Sequence, residues 1–152
     1  MIDASDRHEA SPMRLPIFLG LLLAAPLALA GPFPLTPAPA GAKVYFISPV
    51  AGETVSNPVT IRFGLSGMGI APAGIAKENT GHHHLLIDVA ELPATDMPLP
   101  NDDQHRHFGG GQTEITLELA PGKHTLQLLL GDANHIPHDP PIVSDKITIE
   151  VK

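Results

Sequence analysis

Cysteine is absent from all 152 residues. No disulfide can staple the fold, and a metal site has to be built from imidazole, carboxylate or thioether donors. Basic residues are scarce: nine Lys plus Arg stand against 16 Asp plus Glu, a formal net charge of -7. From residue 31 onward only two arginines remain, Arg62 and Arg106. An acidic surface of this kind repels phosphate backbones and argues against nucleic acid as a partner. Helical periodicity is lacking too, since outside the N-terminal apolar run no stretch sustains the 3.6-residue repeat. There is no His-Glu-x-x-His motif, and the Gly109-Gly110-Gly111 run lacks the strand-to-helix context and the lysine of a phosphate-cradling loop.

What the N-terminus does have is export character. Met13-Arg14 opens a short basic segment, Leu15 to Leu27 is almost wholly apolar, and Ala28-Leu29-Ala30 has the small-x-small pattern of a signal peptidase site. The apolar run is shorter than the roughly 20 residues of a membrane span and is interrupted by proline. Residues 1–30 are therefore expected to be an N-terminal extension and signal peptide, with Met13 as an alternative start and cleavage after Ala30. No stable membrane insertion is expected after processing, and the setting is the periplasm or the secreted fraction; an uncleaved anchor is the competing reading. Without a cysteine near Ala30, a lipid-anchored form is disfavoured. Residues 31–42 (GPFPLTPAPAGA) read as a Pro/Ala-rich flexible leader, because proline removes backbone donors and favours extended chain. Residues 43–152 are long enough for one core without staples.

Within that domain apolar residues alternate with polar ones at the period of two that marks a half-buried strand. Strands are expected at residues 44–47, 58–65, 82–89, 113–119, 123–130 and 143–151, with a short edge strand at 105–108. Proposed core positions are Ile61, Phe63, Leu85, Ile87, Leu117, Leu126, Leu128 and Ile149. Turn residues such as Pro121-Gly122 separate the strands. The pattern predicts an all-β fold, an antiparallel immunoglobulin-like β-sandwich, with a small barrel as the alternative.

Eight of the nine histidines fall between positions 82 and 138. Histidine is both neutral and metal-competent near pH 7, so this enrichment is the main functional clue. In an immunoglobulin-like sandwich the strands at 82–89 and 123–130 are antiparallel neighbours. With the strand at 113–119 laid antiparallel to 123–130, three segments converge on one rim: His82 to His84, the HRHFGGG segment, and the loop carrying Asp132, His135 and His138. His82 and His84 share the face opposite Leu85 and Ile87, and His105 and His107 likewise share a face. The candidate metal ligands are His82, His84, His105, His107, His135 and His138. His83, on the core-facing side, is expected to be packed or hydrogen-bonded. Asp132 is read either as an acceptor for a ligand's second ring nitrogen or as the residue that holds the turn after Gly131. Glu114 is either a supporting carboxylate at the site or part of a solvated strand face. His124 lies at the opposite end and is excluded. Met68 and Met97 are soft donors suited to Cu(I), weighed against simple packing. The glycines at 109–111 let the backbone pass close beside the imidazoles.

The blocks GHHHLLID, HFGGGQTE, PGKHTLQLLLGD and HIPHDPPIVSDKI, in that order, resemble an uncharacterised family of secreted bacterial proteins, the domain of unknown function numbered 4399. The resemblance runs from about Lys43 to Lys152. It implies a signal-bearing periplasmic domain and brings no activity.

Three functional classes follow. The leading one is a metal-binding protein that holds Cu(II) or Zn(II) through the histidine cluster, for storage, delivery or buffering, with affinity weakening as pH falls through about 6.5. The second is a copper or zinc enzyme using the same cluster, with Glu114, Asp132 or Asp139 as acid/base partner. The third is a non-catalytic interaction domain that meets an envelope protein, its histidines structural. That reading asks for imidazole nitrogens more than about 8 Å apart, against a metal shell with bonds of roughly 2 Å.

Overall fold

The computed structural model describes residues 33–152. The expected cleavage site at Ala30 and the alternative start at Met13 lie outside the described residues. Among these residues every regular element is a strand, so no helix is long and apolar enough to cross a membrane. The strands are β1 (Lys43–Ser48), β2 (Thr54–Val55), β3 (Val59–Ser66), β4 (Gly69–Ile70), β5 (Thr80–Ile87), β6 (His105–His107), β7 (Glu114–Leu117), β8 (Gly122–Gly131) and β9 (Ile147–Val151).

They form two sheets. One has the order β1-β3-β7; the other has the order β2-β9-β8-β5-β4, with β6 also paired to β5. The antiparallel β5–β8 pairing expected from the sequence is present, Leu85 lying opposite Leu128. Two departures matter. The β2–β9 and β4–β5 pairs are parallel, so the second sheet is mixed. The strand at Glu114–Leu117 pairs with β3, not with β8, which puts Glu114 opposite Arg62 in the three-stranded sheet. Period-two alternation tells which face a residue takes but not which strand lies beside it.

The core is a single buried cluster to which both sheets contribute, Ile61 and Phe63 from β3 meeting Leu85, Leu126, Leu128 and Ile149 from the other sheet. Of the expected core, only Leu117 stays partly exposed. Burying a leucine or phenylalanine of this kind stabilises by roughly 1.5–3 kcal/mol relative to leaving it in water. Part of the leader is hydrogen-bonded to the domain: the Ala38 N–H donates to the Asp139 carbonyl (2.8 Å), and the Asp139 N–H donates to the Thr36 carbonyl (2.9 Å).

Candidate metal centre

β5 has β8 along one edge and β4 and β6 along the other, so its residues lose solvent on both sides. Alternation then sorts its three histidines. His83 joins Leu85 and Ile87 on the core face, its ring centre 4.7 Å from that of Phe63. His82 and His84 point to the opposite face and are still buried, with 0% and 1% exposure. The register places His84 directly opposite His107 on β6 and His82 opposite Gly131 at the end of β8. Opposed residues of an antiparallel pair project to the same side. His135 arrives from the loop after β8. Its φ of 67° is in the left-handed region, uncommon for a residue with a Cβ.

These four imidazoles converge. The centres of His82 and His84, His82 and His107, and His84 and His107 are each 5.0 Å apart. His135 lies 5.1 Å from His82, 4.6 Å from His107 and 6.2 Å from His84. One nitrogen each from His82, His107 and His135 lie within 4.8 Å of one another, and Nε2 of His84 is 3.2 Å from Nε2 of His82. Imidazoles bound tetrahedrally at a Zn–N distance of about 2.0 Å have ring centres about 5 Å apart and donor nitrogens about 3.3 Å apart. The donor set of His82, His107 and His135 fits a divalent ion that accepts nitrogen ligands, and His84 stands beside His82 with its ring centre 6.2 Å from that of His135.

Two glycines make room for it. A Cβ on Gly109 would stand 2.6 Å from Nε2 of His107, and one on Gly131 would stand 2.9 Å from Nε2 of His84. Backbone thus passes beside imidazole where any side chain would displace the ring, as the glycine run at 109–111 suggested.

The electrostatics favour neutral rings. Burial, then the nearby His107 and His135, push the pKa of His82 down to about 4. Burial, then His82, His107 and His135, push His84 down to about 3. His107 is lowered by burial and by His135. Neutral imidazole carries the lone pair that a metal needs. Nδ1 of His82, Nδ1 of His84 and Nε2 of His107 are buried without a hydrogen-bond partner. Unsatisfied buried polar atoms cost free energy unless something else engages them.

The remaining sequence candidates lie elsewhere. His105 shares the face of His107, but its Nδ1 is engaged by Asp102 Oδ1 at 2.8 Å, and that carboxylate also accepts the His105 N–H. His138 is buried, with both ring nitrogens unpartnered, and stands outside the four-ring group. Glu114 pairs with Arg62 Nε at 2.9 Å on an exposed strand face of the other sheet, because β7 joins β3. Asp132 holds its own turn: Oδ1 accepts the N–H groups of Asn134 and Ile136, and Oδ2 accepts the Thr36 hydroxyl. No hydrogen bond from its carboxylate reaches a histidine ring among the described residues. His83 is packed in the core, and burial pushes it down to about 4. His124, outside the expected ligand set, is bound to Asp88 Oδ2 (2.7 Å) and the Ala120 carbonyl (2.8 Å); burial lowers its pKa, and these bonds outweigh that and raise it. Met68 packs against the core and Met97 is half exposed, so the four-ring group is all nitrogen. Thr36, which no motif marks, is the contact that sequence reading missed.

Residues 61–152 match the family model described as Domain of unknown function (DUF4399), a shorter span than the resemblance from Lys43 suggested. No curated protein and no solved structure matches the chain.

Proposed function

Because the chain belongs to the DUF4399 family, whose description assigns no activity, its role has to be read from the site, and we propose that the protein binds one Cu(II) or Zn(II) ion through His82, His84, His107 and His135. The observation that carries this reading is the spacing of the four rings, with five of the six centre-to-centre distances between 4.6 and 5.1 Å. Imidazole suits both ions, and copper is the tighter binder of the divalent series at a comparable site. The absence of thioether from the group disfavours Cu(I). The signal-like N-terminus supports a periplasmic or secreted setting, where storage, delivery or buffering asks only for binding and release. The β1-β3-β7 and β9-β8-β5 orders, with one core between them, support an immunoglobulin-like sandwich as the frame.

The interaction-domain reading asks for dispersed histidines, and the compact group opposes it. An enzyme would need an acid/base partner beside the ion. Glu114 lies on the other sheet, the Asp132 carboxylate is taken up by its own loop and Asp139 is exposed, so binding without chemistry is the better-supported role.

Calorimetric titration of tag-free, metal-free protein tests the proposal. One tight equivalent is expected, with His84→Ala and His135→Ala each weakening it at least about tenfold, the equivalent of roughly 1.4 kcal/mol. His124→Ala leaves it intact. Binding no tighter than that of the denatured chain, or all three variants matching the parent, removes the metal reading.

A further inference from the structure

His135 is the one member of the group that comes from a loop, and its left-handed backbone has to be held by what surrounds it. The loop is pinned at both ends by a single short segment of the leader. At its start, the buried Asp132 uses Oδ1 to accept the N–H groups of Asn134 (2.8 Å) and Ile136 (3.0 Å), the residues on either side of His135. The carbonyl of Asp132 accepts the His135 N–H itself (3.0 Å), and its own N–H donates to the Ile136 carbonyl (2.8 Å). The other carboxylate oxygen accepts the Thr36 hydroxyl at 2.7 Å. At the loop's end, Asp139 exchanges two backbone hydrogen bonds with Thr36 and Ala38, with Pro37 bridged alongside. The segment 36–38 therefore spans the mouth of the 132–139 loop.

We propose that Thr36 and Asp132 are positioning residues for the metal centre, the leader acting as a strap that sets His135 before the ion arrives. This rests on the metal-binding reading above. A ligand-bearing loop ordered in advance loses less conformational freedom on binding, so the strap raises affinity without touching the ion. The coupling is reciprocal: an ion on His135 holds the strap down as firmly as the strap holds His135. Aspartate suits the role because one carboxylate oxygen takes both loop amides while the other takes the strap, and hydrogen bonds to an ionised acceptor are the stronger kind.

The test compares the parent full chain with Thr36→Val, which keeps the shape and removes the hydroxyl, and with Thr36→Ser, which restores it. Calorimetry with Zn(II) and with Cu(II) is read beside the Cu(II) ligand-field absorption band and amide hydrogen exchange at Asn134 and Ile136 in metal-free protein. Thr36→Val is expected to weaken binding roughly tenfold, about 1.4 kcal/mol, to shift the band and to speed exchange at both amides; Thr36→Ser returns all three to parental values. A parent that binds while Thr36→Val binds equally well with an unchanged band overturns the strap and leaves the metal site standing. A parent that binds neither ion removes the metal site itself, and the strap's role with it.

Discussion

His84 and His107 face one another across the β5–β6 pairing, their ring centres 5.0 Å apart and their planes inclined by 32°. β6 is only three residues long, so its place depends on its contact with β5. Pairing two neutral imidazoles there leaves Nδ1 of one and Nε2 of the other buried without a partner. The unpartnered Nε2 of His107 has a lone pair to give an ion, which makes the pair a feature of binding rather than of folding.

The two histidines of β6 should therefore separate cleanly. His107→Ala removes a ring at the centre of the group and is expected to weaken Cu(II) or Zn(II) binding by at least about tenfold, roughly 1.4 kcal/mol. His105→Ala removes a ring already engaged with Asp102 and should shift affinity less than about twofold, an effect below roughly 0.5 kcal/mol. Paired titrations of the two variants check this, and equal losses would contradict the assignment.

The backbone of Gly109 passes close beside the His107 ring. Gly109→Ala places a methyl group 2.6 Å from the ring's Nε2, inside contact distance, so the ring has to move. Thermal unfolding of the metal-free variant should change little, because moving the ring relieves the overlap. Metal affinity should fall. An unchanged affinity would mean that the position of the His107 ring does not matter to the ion.

The core makes a separate demand. Leu128 is fully buried at the centre of β8, within the cluster to which both sheets contribute. Leu128→Ala is expected to destabilise the domain by roughly 2–5 kcal/mol in urea unfolding, the transfer loss plus the cavity left behind. A loss under about 1 kcal/mol would show that the space collapses and the face is not tightly packed.

How much of this was legible in the sequence depends on what each residue's neighbours encode. Leu126, Leu128 and Leu130 declare the core face of β8 by alternation alone, and the same rule puts His82 and His84 on one side and His83 on the other. The pairing of β7 with β3 is not legible, because Thr113 to Leu119 alternates identically whichever strand it joins, so the sequence cannot separate Glu114 from the site. Nor does parity distinguish His105 from His107. Asp102 makes the difference, by taking the first ring from a loop. Thr36 and Asp132 are 96 residues apart and belong to no motif, so only the fold reveals their bond.

Acid should act on the metal-free protein in a specific direction. His82 and His84 in the folded protein titrate near 4 and 3, against 6.5 for the unfolded chain, with burial the first cause in both. His83 titrates near 4, again through burial. Between about pH 6.5 and 4 the unfolded state therefore binds more protons than the folded one, and stability falls as pH falls through that window. Each such histidine contributes at most about 1.4 kcal/mol per pH unit. His124 works the other way, since its raised pKa adds stability that is present below 6.5 and lost as pH rises through the folded value; a single group of this kind offsets only part of the three. The metal-free protein should lose urea stability steadily from pH 6.5 to 4.5. The ring protons of His82 and His84 should keep neutral chemical shifts at pH 5.5, where free imidazole is mostly charged. Protons then compete poorly for these two donors, and the loss of metal affinity, placed near pH 6.5 by composition alone, should move to lower pH. Charged ring shifts for His82 and His84 at pH 5.5, or a stability that stays flat down to pH 4.5, would mean that burial does not hold the group neutral.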